Sequence, residues 1–303
     1  MKQFEKIDDG LVVRAPAKIN ISLLVAGKRE DGFHEIETIM SKIDLYDDLL
    51  FETGSGSGIE LVCHGRYKVS CGEDNLVFRA CQMVLDAVGA KAEALKTQGV
   101  KVTLTKRIPV GAGLGGGSSD AAAALMGLNR FANLELHDNQ LTALASELGS
   151  DVAFFLGGPL AMCTGRGEKI QRINAEFYFR ALLVLPGVNA STKKVYENYM
   201  HDVTAYDDLS RQINDFLSKN RLDLIAGLRV NMLECVCCRV YEDLREIKSR
   251  IDSLEIGAVC LSGSGSTMYI LDTGKSGERF DDYQAMLKER IGCETIVVDN
   301  NRW

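Results

Sequence analysis

The chain has no apolar run approaching the roughly 20 residues that a membrane-spanning helix needs, which argues against an integral helical membrane protein. Its first ten residues, MKQFEKIDDG, lack the apolar core of a signal peptide and are too acidic for a transit peptide. A cytoplasmic location is therefore expected. Positive charge is scarce as well, since 35 Lys and Arg face 42 Asp and Glu, a balance of −7. That argues against nucleic acid or an anionic membrane as partner. It also obliges any anion site to be built locally, from backbone donors and a few lysines. Tandem repeats and low-complexity tracts are absent. The nine cysteines are odd in number and scattered, so reduced thiols are expected rather than a disulfide framework. The tightest group, Cys235-Val236-Cys237-Cys238, has no second ligand pair at zinc spacing and reads as small core residues, not as metal ligands.

What is present is an ordinary globular composition, 46% hydrophobic and 25% charged, over 303 residues, a length that suits two domains better than one. The most informative stretch is Val110 to Leu125, VGAGLGGGSSDAAAAL. Gly111, Gly113, Gly115, Gly116 and Gly117 lead through Ser118, Ser119 and Asp120 into an alanine-rich run that favours helix. Glycines let backbone N–H groups close around an anion, and a helix N-terminus adds unpaired donors and a positive dipole end. The stretch reads as a phosphate cradle. Its serines are placed to cap the helix or to reach a nucleotide-bound Mg2+, and Asp120 suits the first helical turn.

Two other phosphate motifs do not fit. Gly111-x-Gly113-x-x-Gly116 matches the dinucleotide pattern, but Lys106, Arg107 and Pro109 stand where an apolar strand should run straight into the glycines. The ATPase P-loop needs a lysine after its glycines, and none follows here. Thr273-Gly274-Lys275-Ser276 has Tyr269 where that motif needs its first glycine, and is expected to be an exposed hairpin turn.

Along the chain, strands are expected at Gly10 to Val25, Glu35 to Leu45, Leu49 to Glu52 and Ile59 to Cys63, the last two flanking the Gly54 to Gly58 turn. Helices follow at Asn75 to Val88, Asp120 to Phe131 and Asn139 to Leu148, with a strand at Val100 to Lys106 feeding the glycine loop. Ala181 to Leu185 reads as a buried strand and Ser210 to Leu254 as mostly helical. Three further strands, at Ala258 to Ser262, Met268 to Leu271 and Glu294 to Val298, enclose a helix at Phe280 to Ile291. The softest boundary is Gly165 to Ala175, which leaves two α+β layers.

Four other constellations bear chemistry. Ala15-Pro16-Ala17-Lys18-Ile19-Asn20 puts a lysine and an amide inside an apolar strand, where a lysine is costly unless paired or able to snorkel to water. Asp151, directly before Val152-Ala153-Phe154-Phe155, is either a helix cap or a functional acid. Asp31-Gly32-Phe33-His34 is a turn presenting an aromatic and a histidine. A second glycine-serine loop, Leu261 to Ser266, suits either a hairpin turn or close backbone approach to a phosphate.

In this order, these segments resemble the GHMP kinases, the family of galactokinase, homoserine kinase and mevalonate kinase. PVGAGLGGGSSDAAAAL is similar to its phosphate loop and LSGSGS to its C-terminal glycine motif. RAPAKIN, GKREDGFHEIET, the GGGSSDAA form of the loop, and GSDVAFFLGG followed by GRGE resemble most the members that act on a cytidine diphosphate sugar alcohol in non-mevalonate isoprenoid synthesis. The resemblance extends from Arg14 to Tyr269.

It implies an α+β, two-domain fold with mixed and antiparallel sheets packed against helices and the active site in the cleft between domains. Residues 1–168 would form the ATP-binding domain and 169–303 the substrate-binding domain. The implied activity is ATP- and Mg2+-dependent phosphorylation of a hydroxyl of that small-molecule substrate, by a monomer or weak homodimer. Asp151 and Lys18 correspond to the catalytic pair. Pro109, Val110, Gly111, Ala112, Gly113, Leu114, Gly115, Gly116, Gly117, Ser118 and Ser119 correspond to the loop around the ATP phosphates, with Asn75 and Lys106 on the adenine side. Asn20 corresponds to a substrate-contacting amide, Phe33 and His34 to the residues around cytosine, and Tyr196 to a second aromatic wall. Two departures stand out. Phe33 replaces a frequent tyrosine, removing a hydroxyl contact, and Ala153 replaces a frequent proline after the acid. Alternatives are a GHMP kinase for homoserine or a mevalonate derivative, which the aromatic-histidine turn disfavours, and a silent nucleotide sensor, which Lys18 and Asp151 together disfavour.

Overall fold

The structure, a computed structural model, describes residues 2–89, 93–272, 280–301 and 303. The turn expected at 273–276 lies outside these residues. One long hairpin organises the rest. After β1 (Phe4–Ile7), β2 (Gly10–Lys28) pairs antiparallel with β3 (His34–Thr53) from end to end. The two segments expected at 35–45 and 49–52 are thus a single strand. The acidic stretch between them hid its continuity, because Asp47 is fully buried and accepts backbone N–H bonds instead of facing water.

Next come β4 (Ile59–Gly65), α1 (Leu76–Val88), α2 (Glu93–Gln98), β5 (Val100–Lys106), α3 (Gly116–Phe131), α4 (Asp138–Leu148), α5 (Val152–Leu156), β6 (Leu160–Gly165) and β7 (Lys169–Arg172). The strands flanking Gly54 to Gly58 do not pair with each other. β5 lies between them, antiparallel to β3 and parallel to β4. The first half of β3 takes β6 as its partner instead, and β7 closes the seven-stranded sheet. A division at residue 168 therefore falls inside the β6–β7 hairpin, and the chain leaves this sheet after Arg172.

The remainder is β8 (Arg180–Leu185), α6 (Thr192–Glu197), α7 (Val203–Ser218), α8 (Leu222–Leu228), α9 (Glu234–Val240), α10 (Glu242–Asp252), β9 (Cys260–Leu261), β10 (Met268–Asp272), α11 (Phe280–Arg290) and β11 (Glu294–Asp299). These strands form an antiparallel sheet in the order β11-β8-β10-β9. The α+β class with mixed and antiparallel sheets is as expected.

Burial explains why β2 reads as a long apolar run. Val13 and Ala15 join Phe51, Val102 and Leu125 in a core under the helices, while Ala17, Ile19 and Ile21 join Leu183, Ile225 and Tyr269 in a second core. The change of core occurs at a register irregularity between Pro16 and Ala17, and another lies between Asn20 and Ser22. Such irregularities re-aim side chains. They bracket Lys18 and Asn20, which face a cleft rather than either core. Of the cysteine group, only Cys237 is buried, Cys235 being exposed and Cys238 half-buried, so the expected burial holds for one of three.

Candidate active site

A cleft of about 1190 Å3 is lined by residues from both halves of the chain. Single small-molecule sites usually enclose about 300–1,000 Å3, so this one has room for two substrates. One end is the glycine-rich loop expected to cradle phosphates. α3 begins at Gly116, four residues before the expected start, with Gly115 as its N-cap at φ 69°. Its first backbone bond, Ser119 N to Gly115 O at 2.9 Å, leaves the amides of Gly116, Gly117 and Ser118 at the open helix mouth. The serines do not cap the helix. Ser118 lines the cleft, Ser119 is buried with its Oγ unpartnered, and Asp120 falls in the second turn.

Gly113 is required by a close approach. A Cβ there would stand 2.3 Å from the Ser262 carbonyl oxygen, because the Leu261 to Ser266 loop packs directly on the phosphate loop. Ser262 Oγ donates to Gly113 O at 3.0 Å, and Thr267 N donates to Ala112 O at 3.0 Å. The second glycine-serine loop is thus a brace for the first, and Gly263, Ser264 and Gly265 also line the cleft.

Lys106 does not present a free cation to a base. Its ammonium lies beneath the loop, 2% exposed, bound to Asp120 at 2.6 Å and to Asp47. Burial opposes the charge on Lys106, but the two carboxylates outweigh it and raise its pKa. Burial pushes Asp120 up, only partly countered by Lys106. Asn75 lines the cleft too, with its amide engaged in structure. It accepts from Val77 N at 2.8 Å as the cap of α1 and donates to Ser70 O at 2.6 Å.

At the centre, Lys18 is 4% exposed. Its ammonium donates to Asn20 Oδ1 at 2.6 Å and stands 3.9 Å from Asp151 Oδ2. Asn20 donates in turn to Thr38 Oγ1 at 2.7 Å, and Thr38 donates to Ser22 O at 2.7 Å. Asn20 therefore orients Lys18, a role its sequence position did not disclose. Burial lowers the Lys18 pKa, and the Asp151 charge raises it back in part. Asp151 precedes α5 but makes no side-chain cap bond, and its carboxylate is one-third exposed to the cleft. Cys163 lies near the pair, and burial pushes its thiol up to about 12, which keeps it protonated.

At the far end, Tyr196 from α6 packs against His34, with ring centroids 5.1 Å apart, and Tyr199 meets the same ring edge-on at 5.9 Å. Burial, then Lys28 and His201, lower the His34 pKa, so the ring is neutral at pH 7. Phe33 is 53% exposed and does not stack on Tyr196. The Arg166 guanidinium sits over its ring at 4.7 Å instead. Arg166, Thr38 and Tyr199 were missed by sequence reasoning. Only Arg166 carried a signal, as part of GRGE.

Three comparisons bear on these features. The GHMP kinases N terminal domain family matches residues 75–159. The 4-diphosphocytidyl-2-C-methyl-D-erythritol kinase of Bacillus cytotoxicus is 40% identical over 259 residues, covering 86% of this chain and 87% of the relative. A crystal structure of 4-(cytidine 5'-diphospho)-2C-methyl-D-erythritol kinase superposes with a TM-score of 0.71 at 30% identity, covering 96% of this chain and all of the other. Homoserine kinase from Cytophaga hutchinsonii superposes with a TM-score of 0.74 over 100% of this chain and 98% of the other, but at 18% identity it shares the fold alone. The chain is thus an ATP-dependent small-molecule kinase of the GHMP type, and within that superfamily it belongs to the 4-diphosphocytidyl-2-C-methyl-D-erythritol kinase family.

Proposed function

We propose that this protein transfers the γ-phosphoryl group of ATP to the 2-hydroxyl of 4-(cytidine 5'-diphospho)-2-C-methyl-D-erythritol in non-mevalonate isoprenoid precursor synthesis. The observation that carries the reading is the order of features along one cleft. A helix mouth for phosphates, a lysine–aspartate pair and a histidine–tyrosine wall follow one another. The sensor alternative has no use for the buried Lys18 beside Asp151, and a homoserine or mevalonate acceptor has no use for the aromatic wall.

Phosphoryl transfer asks a protein mainly for positioning and electrostatics. The amides of Gly116 to Ser118 and the backbone from Pro109 to Gly115 hold the ATP phosphates. Asp151 orients the acceptor hydroxyl and takes its proton as that oxygen bonds to the γ-phosphorus and the bond to ADP breaks. Lys18, held by Asn20, pairs with Asp151 and offsets charge on the transferring group. Asn75 and Lys106 shape the adenine side through backbone and stem, since their polar tips are engaged elsewhere. Phe33, His34 and Tyr196 receive the cytosine, and Asn20 borders the sugar alcohol.

Among the described residues no cluster of three or more His, Cys, Asp or Glu is placed to hold a metal ion. The loop nevertheless fits Mg2+ delivered with the nucleotide, since the Ser118 hydroxyl lines the cleft and Asp120 Oδ1 has no hydrogen-bond partner. Bound there, the ion would neutralise phosphate charge. The first 168 residues supply the phosphate loop and the catalytic pair, and 169–303 add Tyr196 and the bracing loop. The protein is read as cytoplasmic, a monomer or weak homodimer without nucleic-acid or membrane partners. The charge of −7 disfavours nucleic acid and anionic membranes as partners, and no helix among the described residues is long and apolar enough to cross a membrane.

The test is Asp151→Asn. Turnover should fall by about 10²-fold or more, the scale of a positioned base and its charge, with ATP affinity retained by calorimetry. Near-wild-type turnover in a folded Asn variant would remove Asp151 from the chemistry.

A further inference from the structure

Lys42 is a buried charged group that this mechanism does not use. It is 1% exposed, and its ammonium donates to Phe155 O at 3.1 Å and Gly157 O at 2.8 Å. No carboxylate lies within ion-pair distance of it among the described residues. Burial, with a smaller repulsion from Arg172, pushes its pKa down to about 7. A buried lysine held by two carbonyls, with the Phe154 ring 6.0 Å away, costs stability without a carboxylate partner, and a methionine would fill the space without that cost. What methionine would not do is hold the two carbonyls.

Those carbonyls terminate α5, the helix that begins directly after Asp151. Five residues make a helix about 7.5 Å long, too short to be stable by itself. It must be fixed from outside, at both ends. Lys18 and Lys42 are register partners on β2 and β3. Directly opposite residues of an antiparallel pair share one face, about 5 Å apart. From that face Lys18 meets Asp151 at the front of α5, and Lys42 grips its back. The grip reaches the phosphate loop as well, because the Phe155 ring lies 2.9 Å from where a Cβ on Gly115 would be.

We propose that Lys42 is a positioning residue for phosphoryl transfer, which by holding the Phe155 and Gly157 carbonyls fixes α5 and hence the place of Asp151 between Lys18 and the phosphate loop. This rests on Asp151 being the base, as proposed above. A misplacement of about 1 Å can cost a reaction of this kind about a hundredfold.

The experiment compares Lys42→Met, Lys42→Gln, Asp151→Asn and the Lys42→Met/Asp151→Asn double variant in kcat, KM and melting temperature. Lys42→Met should lower kcat by about tenfold to a hundredfold with both KM values within about twofold of wild type. On the Asp151→Asn background it should lower kcat by less than about twofold, since the position of an absent base no longer matters. Lys42→Gln keeps N–H donors on a shorter stem and should lose about threefold to tenfold, and it decides the matter should the Met variant not fold. Wild-type kcat per folded molecule in Lys42→Met, or in Lys42→Gln if Met does not fold, would overturn the proposal, as would losses that multiply in the double variant. Those results leave the base assignment standing when Asp151→Asn alone is slow. Wild-type turnover in Asp151→Asn would overturn both.

Discussion

At one end of the cleft the donors offered to a phosphate are the backbone amides of consecutive residues, Gly116 to Ser118, at the mouth of α3. At the other end a base would meet side chains from three separated segments. Phe33 and His34 lie at the start of β3, Arg166 in the turn after β6, and Tyr196 in α6. The first end can be blocked only by adding bulk, because no side chain can be deleted to remove an amide. The second can be dismantled one side chain at a time, and it titrates. The two ends should therefore respond to different perturbations, and each response should fall on one substrate.

The largest separation is expected from Gly115→Val. Its φ of 69° is left-handed, and a Cβ would approach Phe155 Cζ at 2.9 Å and Lys18 Cγ at 3.0 Å. Relief of that clash would displace the amides of Gly116 to Ser118 from the phosphates, so calorimetry should show ATP affinity lowered by about a hundredfold, with acceptor affinity much less affected. The reverse pattern would place the phosphate site elsewhere.

His34→Ala is the mirror experiment. Removing a partner from a site built to hydrogen-bond a base should raise KM for the cytidylated substrate by about tenfold to a hundredfold while KM for ATP barely moves. Equal effects on both constants would mean that the two ends are not independent.

The smallest effect is a pH dependence confined to the base end. His34 is pulled below its ordinary 6.5, so it is neutral at pH 7.5 and gains a proton only on acidification. With Mg2+ in excess, acidification below 6.5 should raise KM for the acceptor in the wild type as the imidazole gains its proton. The same change should leave the acceptor KM of His34→Ala flat. An acceptor KM that stays flat through the pH range in which the His34 ring is seen by NMR to protonate would take the imidazole out of base recognition.

The same contrast explains what could be read from the chain. Local periodicity located the long helices and strands but not β1, α2, β6, β7 or α6, and five glycines before an alanine run marked the loop that opens α3, because each of these features is contiguous. What the chain did not disclose was long-range. Lys106 looked available beside the loop until the fold brought Asp47, 59 residues away in sequence, and Asp120 onto its ammonium. Nothing local to Asn20 showed that its amide bridges Lys18 to Thr38, 18 residues on. The pairing of β5 between β3 and β4 had no local signature either, since a Gly-Ser turn reads alike whether it closes a hairpin or steps over a strand. Lys18 and Asp151 were legible only through family resemblance. They are 133 residues apart in sequence and come together across β2 and the start of α5.

The central claim is that one cleft presents ATP to a cytidylated sugar alcohol, and the most direct measurement is phosphoryl transfer from labelled ATP to an acceptor panel. The purified protein would be offered 4-(cytidine 5'-diphospho)-2-C-methyl-D-erythritol, homoserine and mevalonate in parallel. Label appearing in the cytidylated product at a kcat/KM at least about a hundredfold above the others is the predicted result, because only that acceptor fills the His34–Tyr196 end. Transfer to homoserine or mevalonate with equal efficiency, or to none of the three, would contradict it.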